Sequence, residues 1–68
     1  MYMNIEYTQK NIRELGLDIF GDEVLFQKWL QTPIPALAGK TPNELCNTKD
    51  GRIQVWHVLS AIRYGDFS

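Results

Sequence analysis

The sequence predicts an all-α fold, a small compact helical bundle of about three main helices plus one short helix. Three observations point there. Apolar residues recur at spacings of three and four, Gly, Pro and capping residues punctuate those stretches, and no alternating run of strand length occurs. The 68 residues make a single domain, 1–68. A chain this short buries only about 60% of its unfolded surface, and its core contributes roughly 3 to 5 kcal/mol. Little interior is left for a deep substrate pocket, so a free-standing enzyme is not expected.

Ile5, Ile12, Leu15 and Ile19, with Thr8 and Gly16 among them, fall on one side of a helix from about Thr8 to Phe20. Gly16 costs about 1 kcal/mol relative to Ala inside a helix. It reads either as a break or as a place where another helix comes close. In Phe20-Gly21-Asp22 the glycine ends one helix in the left-handed conformation, and Asp22 caps the next. From Glu23 to Gln31, Leu25, Phe26, Trp29 and Leu30 share an apolar face. Pro33 and Pro35 end that helix, and Ile34, Ala36 and Leu37 make the connection to Gly39 apolar enough to tuck against the bundle.

Thr41, Pro42 and Glu44 supply an N-cap, a first-position proline and a capping-box glutamate for a short helix from Pro42 to about Cys46. The last helix begins with Thr48 or Asp50 as cap and runs to Tyr64, where Gly65 stops it. Its core side is Val55, Val58, Leu59 and Ile62. A second stripe, Arg52, Trp56, Leu59 and Arg63, runs beside it and makes the combined surface too wide to be wholly core.

A net charge of -1 and a pI near 5.6 leave no cluster of Lys and Arg with which to neutralise phosphates. Cys46 and His57 are the only residues of their kinds, which excludes a four-ligand zinc site and an internal disulfide and fits a reducing cytoplasm. No membrane span or signal peptide is expected. As a nucleophile and base, Cys46 and His57 lack an orienting third residue, and Cys46 sits at the wrong end of its helix for thiolate stabilisation. They read as a buried thiol and a surface or satisfied histidine. Glu23, Glu44 and Asp50 read as helix-start carboxylates. Gly39-Lys40-Thr41 matches the end of a phosphate-binding loop, but Ile34 stands where its first glycine belongs and two prolines remove amides. Trp29 reads as core. Trp56, between Arg52 and Arg63, reads either as a binding hot spot or as a rim tryptophan under arginine stems.

The order Phe20-Gly21-Asp22, Trp29-Leu30, Pro33 to Leu37, Gly39, Thr41 to Leu45, Thr48 to Gly51, Val55, Leu59 and Ile62 to Phe67 resembles the toxin-binding domain of the Xre/MbcA/ParS-type antitoxins. The resemblance spans about Ile12 to Phe67. It implies a helical unit that binds and blocks a RES-type, NAD-consuming toxin and has no catalysis or cofactor of its own. It further implies that the last helix and chain end face the toxin, with Tyr64, Gly65, Asp66, Phe67 and Ser68 reaching toward the NAD pocket. Arg52, Trp56 and Arg63 join them as toxin-binding residues. Gly39, Pro42 and Gly51 inherit structural roles, and Ala38 stands where the family usually has glycine.

Family members commonly carry a helix-turn-helix region, for which this chain has no room. Neutralisation without nucleic-acid binding is therefore expected, by a stand-alone antitoxin, an immunity protein or an excised domain. Phe67 lies beyond a helix-stopping glycine, and a partner pocket that buried it would contribute on the order of 2 kcal/mol. Two alternatives stand beside this reading. One is a small DNA-binding regulator with Glu23 to Leu30 crossing and Arg52 to Arg63 reading; the other is a homo-oligomerisation module pairing its stripe with a second copy.

Overall fold

Each helix starts and stops where nearby chemistry completes its unpaired backbone groups. The computed structural model describes residues 6–65. Helix α1 is Gln9–Phe20. Thr8 caps it by accepting the Asn11 amide at 3.1 Å, while the Asn11 side chain accepts the Thr8 amide at 3.2 Å, a reciprocal capping box. Gly21, at φ +67°, closes its far end by donating to the Leu17 carbonyl at 2.8 Å.

Helix α2 is Glu23–Leu30. The cap expected from Asp22 is not made: the residue holds the N-cap position but its carboxylate bonds to no amide. The start of α2 is met instead by Glu23, an acid in the first turn that also pairs with Arg13 of α1 at 2.8 Å.

The connection contains one turn of 3-10 helix, Pro35–Leu37, and folds on itself. Ile34 donates to the Lys40 carbonyl, and Leu37 and Gly39 donate to that of Ile34. Closing so short a loop puts Ala38 at φ +59° and Gly39 at φ +79°, both left-handed. Helix α3, Pro42–Leu45, carries the full capping box read from its sequence. The Thr41 amide and hydroxyl both reach Glu44 and hold its carboxyl below the usual glutamate range. Helix α4, Lys49–Tyr64, is capped by Thr48 and ended by Gly65 at φ +69°.

The core gathers one or two side chains from nearly every element: Ile12 and Leu15 from α1, Phe26 and Leu30 from α2, Leu37 from the loop, and Val55 and Leu59 from α4. Ile19, Trp29, Ile34 and Val58 lean on it half-buried. All four helices share this one interior, which makes the domain an all-helical globule without a strand among the described residues. Ile5, assigned above to the first apolar series, lies outside them.

Two apolar assignments are corrected. Leu25 is 49% exposed and sits beside Val24 at 58%, because the arc of α2 that meets the core is centred on Phe26 and Leu30. Ala36 is also exposed; its turn of 3-10 helix points only Leu37 inward. No helix among the described residues is long and apolar enough to cross a membrane.

Gly16 marks a close approach and not a break: α1 continues through it, and the Phe26 ring lies against its bare backbone. Gly51 plays the same part at the start of α4, where a Cβ would collide with the Leu45 carbonyl. Gly16→Ala is therefore expected to lower stability by about 1–3 kcal/mol through overpacking, although alanine alone would favour the helix by about 1 kcal/mol. A denaturation midpoint at or above that of the parent chain would refute the packing account. At Ala38 the opposite change is favoured. The left-handed backbone costs an L-residue roughly 1–2 kcal/mol, and glycine's extra unfolded-state entropy returns only about 0.4–1. Ala38→Gly should thus raise thermal stability slightly, by roughly 0.5 kcal/mol, as read by calorimetry.

Candidate functional site

The orientation of α4 is fixed at both ends by charged side chains. At its start the Arg52 guanidinium donates to the Tyr7 carbonyl at 2.5 Å and to the Cys46 carbonyl at 2.9 Å. At its end Arg63 pairs with Asp18 at 3.2 Å. Since Tyr7 stands just before the Thr8 cap of α1 and Asp18 lies near the end of that helix, α1 and α4 run side by side in the same direction. Thr48 fixes the register of the first turn by accepting the Gly51 amide at 3.0 Å.

The sequence-derived surface is divided by this arrangement. Leu59, placed above on the Arg-Trp-Arg stripe as well as on the core side, is fully buried and belongs to the core alone. Arg52 is half-buried and engaged with two carbonyls of its own chain. Trp56 is half-buried, with the Tyr7 ring against it edge-on. Arg63 is exposed, paired with Asp18, and its guanidinium lies 6.0 Å from the centre of the Tyr64 ring. Tyr64 is 78% exposed, and Gly65 ends the helix beside it. Asp66, Phe67 and Ser68 lie outside the described residues.

What faces outward along α4 is a different set of side chains. Ile53, His57, Ser60 and Tyr64 recur at spacings of four, three and four on the side opposite Val55 and Leu59. His57, Ser60, Ala61 and Tyr64 line a shallow depression of about 240 Å³. No Asp, Glu, Lys or Arg occurs between Arg52 and Arg63, so this side carries no full-time charge. His57, Ser60 and Ala61 are not strongly apolar, so helical periodicity does not mark them as a shared surface. The missing signal was the absence of charge on the side turned away from the core. A surface of this kind can be covered without desolvating an ion, which is where polar interfaces lose energy.

The same geometry separates the one thiol from the one imidazole. Cys46 is half-buried at the end of α3, beside a groove of about 350 Å³ floored by Ile12, Phe26 and Leu30. His57 is exposed on the outward side of α4. Burial pushes the Cys46 thiol above its ordinary range, against the smaller opposing pull of the Arg52 charge. A thiol so placed is held in its unreactive form. Among the described residues no group of three or more His, Cys, Asp or Glu is gathered as a metal site would require.

Comparison with known proteins bears on the same region. A family model described as the Antitoxin Xre/MbcA/ParS C-terminal toxin-binding domain matches residues 15–65, which include α2, α3 and the whole of α4. A curated protein named Antitoxin Xre, from Yersinia enterocolitica serotype O:8 / biotype 1B (strain NCTC 13174 / 8081), is 29% identical over 58 residues. Those residues are 84% of this chain and 39% of that protein, so the chain spans about two fifths of that relative's length. No solved structure matches.

Alkylation tests the chemistry assigned to Cys46. At neutral pH iodoacetamide is expected to modify the folded chain at least about tenfold more slowly than the denatured chain. Equal rates would show a reactive thiol and restore a nucleophile to consideration.

Proposed function

Because the chain belongs to the Xre/MbcA/ParS family of antitoxin C-terminal toxin-binding domains, we propose that it neutralises a RES-type, NAD-consuming toxin by occupancy. In this reading the outward side of α4 lies against the toxin and the chain end, Tyr64, Gly65, Asp66, Phe67 and Ser68, enters the cofactor cleft. NAD is then excluded because its space is filled. Arg63 lies at the edge of the contact, where its exposed guanidinium meets the partner's rim. Arg52 acts from behind, as a positioning residue that holds the start of α4 in place.

One observation carries this reading: Tyr64 stands 78% exposed at the end of an uncharged helix side. A tyrosine in that position has little of its own fold to pack on, and a partner surface that covered it would contribute about 2 kcal/mol from area alone. Aromatic and arginine side chains are also the types that most often dominate binding energy. The DNA-binding alternative is poorly served by the same surface. Of its two arginines, Arg52 is bonded to carbonyls and Arg63 is paired with Asp18, and the helix side between them offers no cation to a phosphate. The core draws on α1, α2 and α4, with Leu45 of α3 packed against it, which supports reading 1–68 as a single binding unit.

Removal of Tyr64 to Ser68 tests the mechanism. The shortened chain should retain its helical circular dichroism, because neither Tyr64 nor Gly65 is buried, and should no longer stop a RES-type toxin from consuming NAD. Protection at the level of the intact chain would overturn the proposal.

A further inference from the structure

Trp56 lies on the flank of the outward side of α4, packed against the core on one side and met on another by Tyr7 of the lead-in to α1. The Tyr7 ring meets the indole edge-on, with centroids 5.8 Å apart and planes at 87°. The Tyr7 carbonyl is held by Arg52 at 2.5 Å. Tyr7 reaches this position only with φ at +54°, a left-handed backbone that a bulky aromatic residue rarely adopts. Such strain persists only while neighbouring contacts maintain it, and among the described residues these include one hydrogen bond and one ring edge.

The start of α1 and the corner before α4 are both held without Tyr7. Helix α1 is nucleated one residue later by the reciprocal bonds of Thr8 and Asn11. Arg52 keeps the Cys46 carbonyl as a second acceptor, so the α3–α4 corner stays tied when Tyr7 leaves. Departure of the ring would bare the indole next to Ile53 and Ser60 and widen the uncharged side of α4 by its largest side chain.

We propose that Tyr7 is a displaceable cover on the toxin-binding face: it shields Trp56 in the free domain, and the toxin replaces it on the indole. This rests on the reading of α4 as the toxin-contacting helix and adds a built-in competitor to it. The cover lowers apparent affinity by the fraction of molecules in which it is closed, and its backbone strain, released on opening, keeps it easy to remove.

Two substitutions test the cover. Tyr7→Asn removes the ring but tolerates the left-handed backbone, and Tyr7→Gly also releases the strain. Both are compared with the intact chain for binding to a catalytically inactive RES-type toxin by calorimetry. The chain is labelled with 5-fluorotryptophan so that Trp29 and Trp56 report separately by NMR. The expected result is at least about threefold tighter binding by both variants. In the free variants the Trp56 resonance should move toward its solvent-exposed position, and in the intact chain it should shift again on toxin binding. Affinity unchanged or weakened in whichever variant folds, while removal of Tyr64 to Ser68 still abolishes binding, overturns the cover alone. If the intact chain does not bind the toxin, or binds it equally well without Tyr64 to Ser68, the reading of α4 falls and the cover falls with it.

Discussion

The Phe26 ring can occupy the centre of the molecule only because position 16 offers it bare backbone. With a Cβ at Gly16, α2 would have to stand off from α1. Phe26 would then lose the Phe20 ring of α1, which lies 6.2 Å away between centroids, while Trp29, on α2 itself, would move off with it. Leu30, one turn further along α2, would lift with it. The underside of α4, where Val55 and Leu59 are fully buried, would then close over a void. In a domain with so few buried side chains, one close helix contact sets the thickness of the whole core.

A second close contact sets the direction of the last helix. Gly51 lets the first turn of α4 press onto the Leu45 carbonyl, and Arg52 binds the carbonyl of the next residue, Cys46, together with that of Tyr7. The charge of Arg52 is thereby spent inside the molecule on carbonyls that the turn would otherwise leave partly unpaired. The helix leaves this corner parallel to α1 and meets it again through Arg63 and Asp18. Both ends of α4 are held, with Ile53, His57 and Ser60 between them on the outer side. A binding surface benefits from that rigidity, since a helix already in place surrenders little entropy when a partner arrives.

Such a domain suits the toxin-binding part its family describes, because binding asks for a surface and not for chemistry. Burial raises the pKa of the one thiol further, and the one histidine stands apart from it on the outer side of α4. Stability that is modest at this size also becomes linked to the partner, since whatever binds the folded state alone draws the equilibrium toward it.

Much of this was legible in the chain itself. The capping box at Thr41, Pro42 and Glu44, the Thr48 cap and the stops at Gly21 and Gly65 are local, each set by a few neighbouring residues, and their positions follow from sequence. The motif order from Phe20 to Phe67 likewise placed the chain in its family, and the family model matches residues 15–65. Local chemistry could not say that Leu25 would face water while Phe26 went inside, or that Asp22 would leave its cap unmade. Nor could it say that Arg52 would turn inward, or that Tyr7 would lie on Trp56 from 49 positions away in sequence. Helical periodicity fixes which residues share a side, and capping chemistry fixes where a helix begins. Which arc of that side meets a neighbour depends on how closely two backbones approach. Here that distance was decided at Gly16 and Gly51 by side chains remote in sequence, and only the packed tertiary structure brings them together.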